Sequence, residues 1–274
     1  MNSTLGADTA ALLQQLIRQA CVNDGSPESG QEMRNVAVLQ DFFAGTGISY
    51  EVIETAPGRG NLIARLKGTD PDAPSVALVG HLDVVPATEP ELWQHDPFGG
   101  ELIDGVIWGR GAIDMLGLTA SFAAVTKKIA LSGVALRGDL IFAATADEEA
   151  GGVYGAGWLA KHRPELITAD YSLTENGGIV LSDADAPGVT ITVGEKGGAP
   201  RTLNVTGVPG HGSVPWRSKS AAVIAAEIVV RIAKNPGEPL LLEYWIEFVK
   251  ASGFDDDLTR RRDQIDVYRR RRRR

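Results

Sequence analysis

The chain has 274 residues, a hydrophobic share of 43% and a formal net charge of −8. This length allows a large buried core in one or two domains. No apolar run approaches the roughly 20 residues that span a bilayer, which argues against a transmembrane protein. The acidic balance argues against nucleic acid as a partner.

The amino-terminal segment, MNSTLGADTAALLQQLIRQACV, has no basic stretch ahead of an apolar core. It is typical of an amphipathic helix rather than of a signal peptide, so a cytoplasmic location is expected. The single cysteine, Cys21, cannot form an internal disulfide. We expect it to be a small packing residue.

Apolar residues that recur with helical spacing predict two helices, at residues 9–20 and 29–44. Extended segments are predicted next, at about 48–55 and 60–67. Short apolar runs then alternate with predicted helices, giving a strand at 76–80, a helix at 116–131, a strand at 140–146, a helix at 155–163 and a strand at 170–174. Because parallel neighbours need crossover connections, this alternation predicts a largely parallel sheet covered on both faces.

The character of the sequence changes near residue 197, where a glycine-rich stretch begins. A linker is predicted there, followed by a strand from Arg201 to Thr206, a loop, and a helix at about 218–234. The expected organisation is a large first domain over residues 1–197, a partial second domain over 198–252, and a charged, disordered tail over 253–274.

Acidic and imidazole side chains follow each of the three predicted core strands. They are His81 and Asp83 after the first strand, Asp147, Glu148 and Glu149 after the second, and Glu175 after the third. In sheets of this kind, functional groups collect beyond the carboxyl ends of the strands. Asp114 lies between them, in the turn GRGAIDMLG that opens a predicted helix.

Several ionised carboxylates at one sheet edge would repel one another without a compensating positive charge. A pair of divalent metal ions is the simplest compensation. Mixed imidazole and carboxylate ligands suit zinc, with cobalt or manganese as alternatives.

Each of these signals also has a plain structural interpretation. A lone strand histidine such as His81 is usually structural, and the adjacent acids Glu148 and Glu149 are typical of a solvated loop. Their repetition at the ends of consecutive strands, with Asp114 between, favours a metal site.

Six stretches, in this order, resemble the dinuclear-zinc exopeptidases and deacylases. That family includes aminoacylases, acetylornithine and succinyl-diaminopimelate deacylases, and glutamate-releasing and vacuolar carboxypeptidases. The stretches are GHLDVVP, W-x-x-D-P-F-G-G at 93–100, DGVIWGRGAIDM at 104–115, DEEAGG at 147–152, TENGG at 174–178 and GVPGHGSVP at 207–215. The resemblance covers about residues 10–235, and the form WGRGAIDM is most similar to the aminoacylase and carboxypeptidase branch.

The resemblance implies an α/β fold, with a three-layer α/β/α catalytic domain built on a largely parallel mixed sheet and part of an α+β lid or dimerisation domain. It also implies two metal ions and a role for each site residue. His81 and Glu175 would bind one metal, Asp114 would bridge both, Glu149 would bind the second, Glu148 would be the general base, and Asp83 would orient His81.

Three further implications concern the backbone, the lid and the substrate. The peptide bond between Asp114 and Met115 would be cis. His211, in GHGS, would be the lid histidine that reaches a partner subunit's active site in a homodimer and steadies the oxyanion, with an ordinary loop histidine as the alternative. The substrate would be an N-acyl amino acid or a short peptide, and Glu148 would take a proton from a water shared by the two metals.

The chain departs from the family pattern toward its carboxyl end. The family completes its second metal site with a downstream histidine, whereas none of the four histidines here lies beyond His211. We therefore expect a C-terminally truncated enzyme, with a catalytically impaired remnant that keeps the fold and part of the metal binding as the alternative. The six terminal arginines are interpreted as the product of a shifted frame, or else as a basic arm for nucleic acid.

Overall fold

A computed structural model describes residues 5–176, 178, 180–181, 188–189, 191–192, 201–213, 215–235 and 242–251. These residues belong to two compact units that divide between Glu175 and Asn176. The predicted boundary at residue 197 and the predicted tail over 253–274 lie outside the described residues. The predicted domain limits therefore stay predictions.

The first unit contains the predicted alternation of strands and helices. Its helices are α1 (Leu5–Arg18), α2 (Met33–Phe43), α3 (Leu116–Ser132), α4 (Ala156–His162) and α5 (Pro164–Ile167). Its strands are β1 (Tyr50–Ala56), β2 (Arg59–Leu66), β3 (Val76–His81), β4 (Glu101–Ile103), β5 (Val106–Trp108), β6 (Leu140–Thr145) and β7 (Tyr171–Leu173). Every predicted element of this unit is confirmed, with ends that differ by four residues or fewer. The β4–β5 hairpin and α5 were not predicted.

The main sheet has the strand order β1-β2-β6-β3-β7. Strand β2 pairs antiparallel with both β1 and β6, whereas β3 pairs parallel with both β6 and β7. The expectation of a largely parallel sheet is thus corrected to a mixed sheet. The physical reason is the short connection between β1 and β2, Pro57 and Gly58, because a two-residue loop can only form a hairpin.

Helices cover both faces of this sheet. Leu62 and Phe142 belong to a large buried cluster with α1, α2 and α3, while their neighbours Ile63 and Ile141 belong to a second cluster with Leu159 of α4. Because successive strand residues point to opposite faces, the two clusters lie on opposite sides of the sheet. The predicted three-layer α/β/α arrangement is confirmed.

In the second unit, the described elements are β8 (Val180–Leu181), β9 (Gly188–Val189), α6 (Ala221–Lys234) and α7 (Glu243–Ala251). Helix α6 confirms the helix predicted at 218–234. The strand predicted from Arg201 to Thr206 is wrong, because these residues adopt no regular secondary structure. A strand needs a neighbour to pair its backbone groups, and the nearest pairing among the described residues is a single bridge between Val208 and Lys219.

Candidate metal centre

Three adjacent parallel strands bring the predicted site residues to one edge of the main sheet. Strands β6, β3 and β7 run in the same direction, so their carboxyl ends lie together. His81 is the last residue of β3, and Glu175 follows β7 by two residues. Glu148 and Glu149 begin a 3₁₀ turn shortly after β6. The strand-end argument made from sequence is therefore confirmed for these four residues.

Asp114 reaches the same edge from the loop between β5 and α3. Its peptide bond to Met115 is cis, which confirms the expectation drawn from the resemblance. Met115 and Leu116 are buried at the start of α3, whereas the Asp114 side chain is 68% exposed. The loop also needs a glycine at position 111, where φ is +82° and an added Cβ would lie 2.4 Å from a Val84 methyl group.

The His81 ring is buried, and each of its nitrogens has a defined environment. Nδ1 lies 2.9 Å from the carbonyl oxygen of Asp83 and 3.5 Å from the Oδ1 atom of the same residue. Because a carbonyl oxygen only accepts, Nδ1 is the protonated donor. This leaves Nε2 directed at the carboxylates of Asp114, Glu148 and Glu175, the orientation that the predicted role of Asp83 requires.

Three carboxylates face Nε2 of His81, namely Asp114 Oδ1 at 3.3 Å, Glu175 Oε2 at 3.6 Å and Glu148 Oε2 at 3.7 Å. Glu149 joins them, because ligand atoms of His81, Asp114 and Glu149 lie within 4.8 Å of one another. A second group with the same spacing consists of His81, Glu148 and Glu175. We call these five residues the acid cluster.

Burial and mutual repulsion shift the titration of the acid cluster. Burial raises the pKa of Glu175 to about 7, and a hydrogen bond with Asp114 and the charge of Glu148 add to the shift. Burial also raises the pKa of Glu149, and nearby carboxylates add to it. For His81, burial opposes the charged form, but Asp83 and Glu148 outweigh it and raise the pKa to about 9. Without metal, the cluster therefore holds protons that a cation would displace.

The donor set of the acid cluster fits divalent cations. It offers one imidazole nitrogen and several carboxylate oxygens, the ligand types found in zinc, cobalt and manganese sites. Among the residues that the structure describes, no lysine or arginine forms an ion pair with Asp114, Glu149 or Glu175. Beyond the charge of His81 and the protons that the cluster holds, a bound cation would neutralise the negative charge of these carboxylates.

A buried polar network that the sequence analysis missed adjoins the acid cluster. It consists of Asn23, Glu32, Arg59 and Asp147, each 3% exposed or less. The sequence marked Asp147 as an acid that follows a strand and Arg59 as a charged residue at the start of a strand, but nothing marked Asn23 or linked these residues to one another. The network meets the acid cluster through Asp83, whose carboxylate accepts a hydrogen bond from Asn23.

The remaining histidines of the chain lie outside the acid cluster. His211 belongs to the second unit, where its Nδ1 lies 2.7 Å from the hydroxyl of Ser213 and the residue is exposed. Its role as a lid histidine stays a prediction. His95 packs against Trp108 and lies 3.4 Å from Glu101, and His162 is exposed at the end of α4.

Comparison with known proteins decides the family. Residues 77–246 match the model of peptidase family M20/M25/M40. The chain belongs to this family. Its members hydrolyse amide or peptide bonds, and its metallopeptidases use divalent metals. The matched region contains all five residues of the acid cluster.

Curated relatives of this M20 chain carry two kinds of name. The chain is 37% identical over 219 residues to a succinyl-diaminopimelate desuccinylase of Methylobacterium sp. (strain 4-46), covering 77% of this chain and 51% of that protein. It is 33% identical over 189 residues to the probable carboxypeptidase S-like 2 of Dictyostelium discoideum, covering 67% of this chain and 36% of that protein. The chain thus spans about half the length, or less, of these relatives. The resemblance to deacylases and carboxypeptidases is confirmed, while the choice of branch stays a prediction.

Solved structures share the fold of this M20 chain. The M20 family metallo-carboxypeptidase Sso-CP2 from Sulfolobus solfataricus superposes with a TM-score of 0.52 at 18% identity, over 63% of this chain and 38% of that one. Human carnosine dipeptidase 1 gives a TM-score of 0.51 at 24% identity, over 62% and 39%. At these identities the likeness concerns the fold alone, and it confirms the predicted α/β class.

We expect the metal-free protein to lose stability as the pH rises from about 5 to about 9. Glu175 and His81 both have raised pKa values in the folded protein, so each binds its proton more tightly when folded. The stabilisation by Glu175 is complete below its ordinary pKa of 4.5 and is lost as the pH rises through about 7. That of His81 is complete below 6.5 and is lost through about 9.

Calorimetry of chelator-treated and zinc-loaded protein across this pH range would measure the effect. The melting temperature of the metal-free form should fall with pH, and zinc should stabilise more strongly at the alkaline end, where it no longer competes with protons. The variant Glu175→Gln should remove the part of the fall that lies between pH 4.5 and about pH 7. A melting temperature of the metal-free form that rises through this window would contradict the expectation.

Proposed function

We propose that this chain carries the metal centre of a hydrolase that cleaves an amide bond next to an amino acid. The observation that carries the proposal is the acid cluster, in which four carboxylates from three other segments gather around the imidazole of His81. Membership of peptidase family M20/M25/M40 and the names of the relatives support an N-acyl amino acid or a short peptide as the substrate.

The proposed ligands divide between two cations. His81 and Glu175 would hold one, Glu149 would hold the second, and Asp114 would be a ligand shared by both. The contacts of His81 with Asp114 and Glu175, and the grouping of His81, Asp114 and Glu149, support this division. Zinc is the proposed metal, with cobalt or manganese as alternatives. Divalent cations held there would supply Lewis-acid chemistry, which would polarise a carbonyl group and lower the pKa of a water molecule.

Glu148 is the proposed general base. Its Oε2 atom lies 3.7 Å from Nε2 of His81 and its side chain is 49% exposed, so this member of the acid cluster also faces the solvent that supplies water and substrate. Its carboxylate takes a proton from the attacking water and passes it to the leaving amine. The backbone N–H of Glu148 donates to Asp83 at 3.1 Å, which fixes the main chain from which the side chain extends.

The second unit has a proposed role in assembly. We assign to His211 the stabilisation of the oxyanion in a partner subunit, and to this unit a homodimer contact. The support is the GHGS motif within the family match. Among the described residues, no helix combines the length and the apolar character needed to cross a bilayer. The cytoplasmic location and the lack of a nucleic-acid partner stay predictions.

Metal analysis combined with an activity assay would test the proposed function. Two equivalents of zinc in the purified protein, with turnover of N-acetyl amino acids, N-succinyl amino acids or dipeptides, would support it. Less than one equivalent without turnover would favour the competing prediction of a catalytically impaired remnant. A protein that takes up no divalent metal would refute both.

The variant Asp114→Asn should bind zinc about 100-fold more weakly than the wild type. Loss of an indirect partner of a metal site already costs about 10- to 100-fold in affinity, and Asp114 is proposed to touch both cations. Isothermal titration would measure the change. Asp104→Asn is the control, because Asp104 is an exposed acid in the turn between β4 and β5, outside the acid cluster. Equal affinities of the two variants would remove Asp114 from the proposed ligand set.

A further inference from the structure

Asn23 lies in the loop between α1 and α2 and is 3% exposed. Its amide nitrogen donates to two buried carboxylates, Asp83 Oδ2 at 2.8 Å and Asp147 Oδ1 at 3.1 Å. Its amide oxygen accepts from the guanidinium of Arg59 at 3.3 Å and from the hydroxyl of Ser29 at 3.1 Å. The neighbours dictate this orientation, because carboxylates only accept and a guanidinium only donates.

The two carboxylates that Asn23 joins hold the turn that carries Glu148 and Glu149. Asp83 accepts hydrogen bonds from the backbone N–H groups of both glutamates, each at 3.1 Å. Asp147 precedes the turn with a left-handed φ of 66°, and its other carboxylate oxygen accepts from the backbone of Tyr154 at 3.0 Å. The Asn23 amide thus donates both to Asp83, which accepts from the backbone of the turn, and to Asp147, which precedes the turn.

The charge distribution explains why a neutral amide occupies this position. Arg59 lies 2.7 Å from Glu32 and 3.7 Å from Asp147, so its charge is already shared between two buried carboxylates. Among the described residues, Arg59 contacts Asp147 directly but is connected to Asp83 through Asn23. The Asn23 amide therefore gives the Asp83 carboxylate a hydrogen-bond donor without adding a positive charge. Asp83 can then still interact with His81 and accept from the backbone of the turn.

We infer that Asn23 is a positioning residue for the turn that bears Glu148 and Glu149. It acts through Asp83 and Asp147, the two carboxylates to which its amide donates. The inference rests on the proposed function, because the turn supplies the proposed base and one proposed ligand. The positioning role can be tested in the metal-free protein, because it concerns the hydrogen bonds of the turn.

The variant Asn23→Ala removes both donated hydrogen bonds. The matched control is Asn35→Ala, because Asn35 is equally buried but donates to the backbone carbonyl of Leu82 at 2.8 Å rather than to a carboxylate. If Asn23→Ala does not fold, Asn23→Ser leaves a smaller cavity and still lacks the second donor. Thermal melts of all variants would show how much stability each has lost.

Hydrogen exchange of the Glu148 and Glu149 amides in the metal-free protein is the first measurement. We expect exchange at these two amides to become at least about tenfold faster in Asn23→Ala, relative to the amides of β3, and to stay unchanged in Asn35→Ala. Titration with Co²⁺, followed by its visible absorption, is the second measurement. We expect about 10- to 100-fold weaker binding and an altered spectrum in Asn23→Ala alone.

The outcomes separate this inference from the proposed function. Identical exchange and identical cobalt binding in Asn23→Ala and Asn35→Ala would overturn the positioning role, whatever the stability of the two variants. If the wild type bound no cobalt, the proposed function would fail. In that case the exchange of the Glu148 and Glu149 amides would still decide whether Asn23 positions the turn.

Discussion

Replacing Glu148 by glutamine should lower kcat by about 10²- to 10⁴-fold, with KM and metal content close to those of the wild type. Glutamine keeps the size of the side chain but cannot take a proton. The expected loss is therefore that of proton transfer alone, since the proposed ligands His81, Asp114, Glu149 and Glu175 are untouched. Steady-state hydrolysis of an N-acyl amino acid or dipeptide, with metal analysis of the same sample, would measure both quantities.

A glutamate outside the acid cluster provides the control for Glu148→Gln. Glu101 has a similarly exposed side chain, 51% against 49%, and contacts His95 rather than the cluster. Glu101→Gln should therefore leave kcat unchanged. A loss of metal in Glu148→Gln that matches its loss of rate would identify Glu148 as a ligand, because its carboxylate also groups with His81 and Glu175.

Replacing Arg59 by methionine should lower the free energy of unfolding by about 3 to 5 kcal/mol. Arg59 is 2% exposed and lies 2.7 Å from Glu32, which is 0% exposed. Without the guanidinium, the carboxylates of Glu32 and Asp147 would stay buried beside each other with no compensating charge. Because methionine fills much of the same volume, the loss reports mainly the uncompensated charge. Urea denaturation of the metal-free protein would measure it.

Two further variants test the cause of this loss. Arg65 forms a comparable contact with Asp139, at 2.8 Å, but its side chain is 25% exposed and Lys67 also pairs with that acid. Arg65→Met should cost no more than about 1 kcal/mol. The double variant Arg59→Met, Glu32→Gln should recover part of the loss, because one buried charge is then removed. If Arg59→Met and Arg65→Met cost the same, burial of the pair is not the cause.

The positions of helices and strands in the first unit followed from residue patterns along short segments. Periodicity and glycine-rich turns are properties of consecutive residues, so a helix at 116–131 or a strand at 76–80 could be predicted from them. The direction of each strand within the sheet was harder to predict from the sequence. The hairpin between β1 and β2 makes that side antiparallel, and the pairing of β2 with β6 depends on which segments meet.

The membership of the acid cluster could be predicted from sequence because its acids follow strands that run in one direction. Any fold that aligns β6, β3 and β7 in parallel gathers His81, Glu149 and Glu175 at one edge. The individual contacts could not be predicted, since the 3.7 Å between Oε2 of Glu148 and Nε2 of His81 depends on side-chain positions across separate turns.

The histidine and the acids at the strand ends could thus be predicted from the sequence, because the direction of each strand determines which edge of the sheet they reach. The buried residues that hold them in place could be identified only from the tertiary structure, because those residues come from distant segments of the chain. Asn23 lies 60 residues from Asp83 and 124 from Asp147, and an asparagine in a loop has no sequence feature that predicts such partners. Burial creates its role, because a carboxylate removed from water must find a donor wherever the fold supplies one.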